Sequence, residues 1–473
     1  FMTRKFRENG YAAESLLGDT APIERDERIN EFRKGRLKFL FVVDVLSEGF
    51  DLPEINLVMF LRPTESLTVF LQQLGRGLRL SPEKECLTVL DFVGQSHRRY
   101  RIDRKLTALL RHTRRRIDRE IEQDFPNLPP GCSIQLERVA RKHVLENIRN
   151  SLGNLRSFVP EAIRTFESET KLPLTFGNFV RETNLSPTEL LKNKSWSEWK
   201  DIAAGTQKVN DPDLRDTRKA LRRFTLRTDP VLLSKAQHLT TTVVSEDAAP
   251  YGLSEPEAAS LHYLLWNKKG AELSISSYQE SFERWHANSS AAADLAEILE
   301  WRLSNQSFVT TSAELSVPCF LRLHAAYGLR EITAAFGKAD LETTGPTGTG
   351  VIPVKEINTY LHLVTFRKEE RDFSPTTRYH DYPISPTILH WESQARTAQE
   401  SDTGQNYIHF QELGYTILFF ARLEKEIDGE TAPFLFLGPA RSLQSYEDNR
   451  PIKMIWELEH AMPAEFYESA RTV

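Results

Sequence analysis

Short, mainly apolar runs separated by polar helical stretches open the chain. Phe39–Val45, Leu57–Leu61 and Leu87–Phe92 are such runs, and strands buried on both faces read this way. Ile23–Lys34 carries an acidic-to-basic helical pattern, and Lys5–Asp19 reads as a helix followed by a strand. Another helix is predicted to end in Gln72-Gln73-Leu74-Gly75-Arg76-Gly77-Leu78-Arg79. Strands alternating with helices predict a parallel α/β sheet over residues 1–95.

The pattern then shifts twice. In His97–Glu120, Ile102, Leu106, Leu109 and Leu110 recur at helical spacing, with Ile117 continuing the stripe. Ten of those positions are Arg or Lys, including Arg98, Arg99, Arg101 and Arg104. The proline-rich Phe125–Cys132 breaks the pattern, so residues 96–132 read as a basic helix and linker. Residues 133–305 read as mainly helical. Leu136–Asn154, Val159–Thr170, Asp211–Leu226 and Glu257–Trp266 are helix candidates, Thr175–Ile202 continues the helical pattern, and Trp196 and Trp199 are core.

From residue 306 the segments become rich in aromatic and β-branched residues. Phe308–Thr311, Ile357–Phe366, Ile384–Trp391, Tyr407–Phe410, Tyr415–Arg422, Phe434–Leu437 and Ile452–Leu458 are predicted strands, with a helix at Tyr327–Phe336. Residues 306–473 are therefore expected to form a mostly β (α+β) domain, barrel- or sandwich-like, and the chain to be multidomain. Its 473 residues fit about three domains at ~150 residues each.

Composition narrows the chemistry. A net charge of −5 gives no global basic field, so any nucleic-acid surface is local. Cys86, Cys132 and Cys319 are scattered without a C-x-x-C pair, so neither a metal site nor a disulfide framework is expected. With no 18-residue apolar run and no signal peptide, the expectation is a cytoplasmic protein without a membrane span.

Arg76 and Arg79 are three apart and share one helix face. Phosphoryl transfer is catalysed largely by positioning and charge stabilisation, and an arginine reaching across the nucleotide does this. Neither a G-x-x-x-x-G-K-S/T phosphate loop nor an acidic box for Mg²⁺ occurs in the sequence. Gly345-Pro346-Thr347-Gly348-Thr349-Gly350 lacks a lysine and reads as a turn. The basic segment has two open readings, phosphate contact and a solvated helix balanced by the acidic stretch Asp118–Asp124.

Two sets of motifs carry a family resemblance. Glu48-Gly49-x-Asp51 and Gln72-x-x-Gly75-Arg76-x-x-Arg79 resemble motifs V and VI of superfamily 2 helicases, whose motor is two RecA-like lobes clamping ATP. Residues His324–Ile332, Phe366–Glu369, Tyr379–Ser385, His390–Gln394 and Phe434–Gly438 look like the C-terminal half of large bacterial proteins. Those proteins join a phospholipase D-like nuclease, a helicase core and a domain of formerly unknown function, as in SauUSI-type, modification-dependent (type IV) restriction enzymes.

The resemblance implies that residues 1–95 are the second RecA-like lobe. Arg76 and Arg79 would act on ATP, with Glu48, Gly49, Asp51 and Gln72 at the nucleotide. ATP and Mg²⁺ are the implied cofactors of the full-length protein, none being expected on this chain by itself. The phosphate loop, first lobe and nuclease would lie upstream in the same polypeptide, so this chain alone is expected not to hydrolyse ATP. The C-terminal domain would recognise double-stranded DNA carrying methylated or hydroxymethylated cytosine.

For that recognition Tyr379, Tyr382, Trp391, Tyr407 and Trp456 supply aromatic faces. Asp381, Glu392, Ser393 and Gln394 supply base-edge groups, and Arg367, Lys368, Arg378 and Arg396 phosphate contacts. Read without the resemblance, aromatic residues in a β domain are ordinarily core. Two other functions fit the same residues: a repair or remodelling translocase whose C-terminal domain binds a protein, and a DNA-binding module without a motor.

Overall fold

The computed structural model describes residues 1–43, 53–61, 67–77, 81, 84–92 and scattered positions from 105 to 145. Beyond these it describes 155–471 except 184, 241–251, 313–314, 316–318, 347–349 and 367–380; at 67–69, 76 and 77 the backbone alone is described. The chain divides into two compact units: residues 1–158, 166–172 and 179–185, and residues 159–165, 173–178 and 186–473.

In the first unit, helix α1 (Met2–Glu8) leads into β1 (Ala13–Leu16), and α2 (Pro22–Arg33) connects it to β2 (Phe39–Val42). Pro22 at the first helical turn suits α2, where its missing N–H costs nothing. β1 and β2 pair in parallel, Ala13 beside Phe39. Phe6 of α1 packs edge-on to Phe39 and Phe41 at 4.8 and 5.0 Å. A second parallel pair joins β3 (Leu57–Phe60) to β4 (Thr88–Asp91), with α3 (Leu67–Gly77) between them. Two strand–helix–strand crossovers are what the alternation of apolar runs predicts. Further on, Leu106, Ile121, Phe125 and Val144 form a small cluster of their own.

The second unit contains α4 (Trp196–Ala204), α5 (Leu214–Thr225), α6 (Pro230–Ala236), α7 (Glu255–Trp266), α8 (Tyr278–His286) and α9 (Ser289–Ser304). Helix ends follow local chemistry. Ser195 and Glu198 form a capping box at the start of α4, and Gly205 closes it in the left-handed conformation. Asp229 caps α6 by accepting from Val231 N and Leu232 N. Trp196 and Trp199 are buried, as expected for core positions.

The same unit holds β5 (Ala326–Tyr327), β6 (Val351–Val354), β7 (Thr359–Thr365), β8 (Tyr382–Pro383), β9 (Ile388–Glu392), β10 (Thr416–Arg422), β11 (Phe434–Glu447) and β12 (Lys453–Leu458). Helix α10 (Leu329–Ala335) follows β5. Their order is β8-β9-β12-β11-β10-β7-β6, with β5 on β11. β7 and β10 pair in parallel and the other neighbours pair antiparallel. Among the described residues the order runs between two ends without closing. The strands thus make an open mixed sheet in place of the expected barrel or sandwich.

Tyr407–Phe410 is a second departure. Residues Asp402–Ile408 form helix α11, capped by Ser401, whose hydroxyl accepts from Gly404 N. Tyr407 packs its ring onto the sheet as a strand residue would, which is why the short run Tyr407-Ile408-His409-Phe410 does not by itself separate helix from strand.

β10, inside the sheet, is buried on both faces. In β10, Ile417 and Phe419 face one side, Leu418 and Phe420 the other, and all four are inaccessible. One face carries the aromatic core of Tyr360, Trp391, Tyr407, Phe419 and Trp456.

Candidate functional sites

Helix α3 bears the segment expected at the nucleotide. Phe70 and Leu74, four apart, bury themselves against Phe60 of β3, with Val58, Leu87 and Val89 around them. Helical spacing puts positions 72 and 76 on the side away from that contact, and Gln72 is exposed. Asp91 stands beside Phe60 in the parallel register. Lys105 donates to its carboxylate at 2.9 Å, and the ammonium lies over the Phe70 ring at 4.4 Å and the Phe60 ring at 5.5 Å. Burial lowers the pKa of Lys105, opposed by the bond and charge of Asp91. Arg76 belongs to α3 by its backbone. Glu48, Gly49, Asp51, Arg79, Arg98, Arg99, Arg101, Arg104 and Tyr379 lie outside the described residues, as do Arg367, Lys368 and Arg378.

On the sheet, three of the expected base-reading aromatics converge. Trp391 meets Tyr407 edge-on at 5.6 Å, and all three rings surround a residue that sequence reasoning passed over, His362. His362 is fully buried beside Phe419 in the β7–β10 register. Its ring stacks on Trp391 at 4.3 Å, and both its nitrogens lack hydrogen-bond partners. Burial lowers its pKa to about 3, so the ring is neutral. A single His inside Thr359-Tyr360-Leu361-His362-Leu363-Val364 was the available signal: a polar ring in an otherwise apolar strand.

Trp391 and Ser393, expected among the base-contacting residues, are both buried. Trp391 is 4% exposed and Ser393 is inaccessible, its hydroxyl accepting from Ile452 N at 2.9 Å. They hold the sheet together and present no ring face or hydroxyl to a duplex. Gln394 is half-buried and accepts from Tyr407 OH at 3.4 Å, while Arg396 is exposed. Tyr382, 47% exposed, stacks flat on His390 at 4.6 Å and does offer a free face.

A third cluster was invisible in the sequence. The end of α5 and the turn after it read Arg222-Arg223-Phe224-Thr225-Leu226-Arg227, and all three arginines are buried. Arg222 pairs with Glu430 at 3.0 Å and donates to Thr188 O. Arg223 donates to Leu264 O and Leu265 O at the C-terminal end of α7, where carbonyls lack helical partners; burial lowers its pKa to about 10. Arg227 holds Glu331 of α10, and Arg302 of α9 donates to Arg227 O at 2.7 Å. Asp428 and Gly429 both have positive φ, as a two-residue type I′ hairpin turn requires. Ser186 and Thr188 donate to the Asp428 carboxylate. These bonds fasten the helices to the sheet within one unit, and the expected boundary at 305/306 falls inside it.

The helicase conserved C-terminal domain family matches residues 1–81. Over residues 1–81 the match supports a helicase C-terminal region of the superfamily 2 type. A second family, described as a domain of unknown function (DUF3427), matches residues 321–470, which span the sheet of the second unit. IRC3 of Saccharomyces cerevisiae, an ATP-dependent helicase by name, is 37% identical over 91 residues, 19% of this chain and 13% of that protein. UvrABC system protein B of Campylobacter fetus is 27% identical over 176 residues, 32% of this chain and 27% of that protein. The helicase region thus matches relatives of which this chain spans about a quarter or less. The solved C-terminal domain of the DEAD-box protein Dbp5 is 20% identical and covers 31% of this chain and 73% of its own, with a TM-score of 0.20 that carries no argument about fold.

Among the described residues, no group of three His, Cys, Asp or Glu side chains is placed to hold a metal ion, and no helix is long and apolar enough to cross a membrane.

Proposed function

We propose that this chain is the C-terminal part of an ATP-dependent, modification-dependent (type IV) restriction helicase–nuclease. The helicase lobe couples ATP hydrolysis to movement on double-stranded DNA, and the C-terminal sheet recognises methylated or hydroxymethylated cytosine. The observation that carries the motor half is the helicase match over residues 1–81, which takes in Gln72, Gly75, Arg76 and Arg79. Arg76 and Arg79 stabilise charge on the γ-phosphate, while Glu48, Gly49, Asp51 and Gln72 line the nucleotide side of the lobe. The first lobe, upstream in the polypeptide, supplies the phosphate loop and the Mg²⁺ ligands, and a nuclease beyond it cuts.

Phosphates are met by Arg98, Arg99, Arg101 and Arg104, giving salt-dependent, sequence-independent affinity. Support for the reader comes from the exposed groups at the edge of that sheet. The exposed face of Tyr382 can stack a base, with Gln394 and Arg396 available to its edge and backbone.

One experiment tests both halves: ATPase of the protein containing both motor lobes, stimulated by paired duplexes differing only in 5-methylcytosine. The expected result is stronger stimulation by the methylated duplex, and loss of activity of about 10³-fold in Arg79→Ala. Undiminished activity in Arg79→Ala would sink the finger assignment. Equal stimulation by both duplexes favours a repair or remodelling translocase with a protein-binding C-terminal domain, the reading that the likeness to UvrABC system protein B supports.

A further inference from the structure

Lys105 sits in the densest basic run of the sequence, yet it is 4% exposed and turned into the lobe. Lysine is rarely buried unless paired, and here the pair is with Asp91 at the end of β4. The ammonium also rests on Phe70 and Phe60, the two rings that seat α3 on the sheet. Ammonium over a phenyl face is attractive, and more so when desolvated. The adjacent Leu106 packs into a different cluster, with Ile121, Phe125 and Val144. One dipeptide of the basic run therefore grips α3 on one side and the following hydrophobic cluster on the other. Phe70 is six residues before Arg76 on the same helix.

We infer that Lys105 is a positioning residue that couples DNA-backbone contact by the basic segment to the orientation of α3, through Asp91, Phe60 and Phe70. The inference rests on the motor reading above. When phosphates engage the flanking arginines, the load passes through the Lys105–Asp91 pair to the helix carrying Arg76. A Lys at this position supplies both halves of the linkage: a charge for the carboxylate and a cation for the rings. Leucine or methionine would fill the space and transmit neither.

The test uses the protein containing both motor lobes, with basal ATPase, duplex-stimulated ATPase and duplex affinity measured side by side. Lys105→Met keeps the apolar stem and removes the charge. It is expected to leave basal turnover and affinity within about twofold while cutting duplex-stimulated kcat about tenfold, within the usual span for coupled sites. Lys105→Arg, which keeps both the charge and the ring contact, is expected to recover most of the stimulation. Phe70→Leu serves as a second variant should Lys105→Met fail to fold, and it is expected to lose stimulation in the same selective way.

Parallel loss of basal and stimulated rates would make Lys105 merely structural and overturn the inference. Full stimulation in Lys105→Met would overturn it too, with the motor reading intact. A wild-type protein without any duplex-stimulated ATPase would overturn the motor reading and the coupling together.

Discussion

Arg227 and Glu331, 104 residues apart, meet as a bidentate ion pair with both side chains more than nine-tenths buried. Arg227 Nε donates to both carboxylate oxygens, at 2.9 and 2.7 Å, and Nη2 donates to Oε1 at 2.7 Å. Gly328 permits this approach: a methyl there would lie 2.6 Å from Arg227 Nη2 and from Glu331 Oε1. The pair links the turn after α5 to the first turn of α10 and so joins helices to sheet.

Breaking that pair leaves a buried carboxylate without its partner. Arg227→Met is expected to cost about 3–5 kcal/mol, and the double variant Arg227→Met/Glu331→Leu to recover most of it, because an apolar pair carries no stranded charge. Urea unfolding followed by tryptophan fluorescence checks this, since all seven tryptophans lie between residues 196 and 456, in the second unit. A double variant no more stable than the single one would show that the pair contributes through shape and not charge.

His362 makes the second unit sensitive to acid. Its pKa is lowered from the usual 6.5 to about 3, so the unfolded chain takes up the proton first. Its contribution is whole above pH 6.5 and is lost as pH falls through the window down to about 3. Replacing the ring by phenyl, in His362→Phe, removes that dependence. The wild type is expected to lose about 2 kcal/mol relative to His362→Phe between pH 7.5 and pH 5. Parallel stability curves for the two proteins would show that His362 is protonated equally in both states.

Asp294 pulls the other way. It is inaccessible, and burial raises its pKa from 3.8 to about 6, against the bonds from Ser197 N and Oγ. The nearby Lys200 lowers the value and Glu297 raises it. A raised acid stabilises most below pH 3.8, and the contribution disappears as pH rises through about 6. Relative to Asp294→Asn, the wild type is expected to gain about 2 kcal/mol on going from pH 7.5 to pH 4.5. No change in the difference across that range would mean that Asp294 keeps its charge in the fold.

Much of the architecture was legible because hydrophobic period is a local property. Ile357–Phe366 and Tyr415–Arg422 each contain an observed strand, since a strand buried on both faces must be apolar, and Ile452–Leu458 contains one whose buried Met454, Trp456 and Leu458 alternate along it. Phe434–Leu437 gave only the start of β11, which runs on to Glu447. Gly438-Pro439 reads as a stop, but register shifts beyond it let the strand continue with polar residues. Ser401-Asp402 was an unread helix start.

The sites were legible in part. The aromatic residues Trp391, Tyr407 and Trp456 do converge, but what they enclose is His362 and not open space. Arg222, Arg223 and Arg227 resemble the solvated face of any basic helix. Their partners Glu430, Leu264 and Glu331 are tens to hundreds of residues away, and no local pattern encodes them.

The arginine cluster also sets an order on the ribosome. Chain emerges from its N-terminal end at roughly 5–20 residues per second. Arg227 is therefore made roughly 5–20 s before Glu331, 104 residues later. Asp428, which receives Ser186, follows 242 residues after it. Over those intervals Arg227 is without Glu331 and Arg222 without Glu430, so the two guanidinium groups have water in place of a carboxylate until theirs is made. Closing the helical half before Glu331 and Glu430 are made would strand two buried cations, a cost that favours the order in which the chain is synthesised.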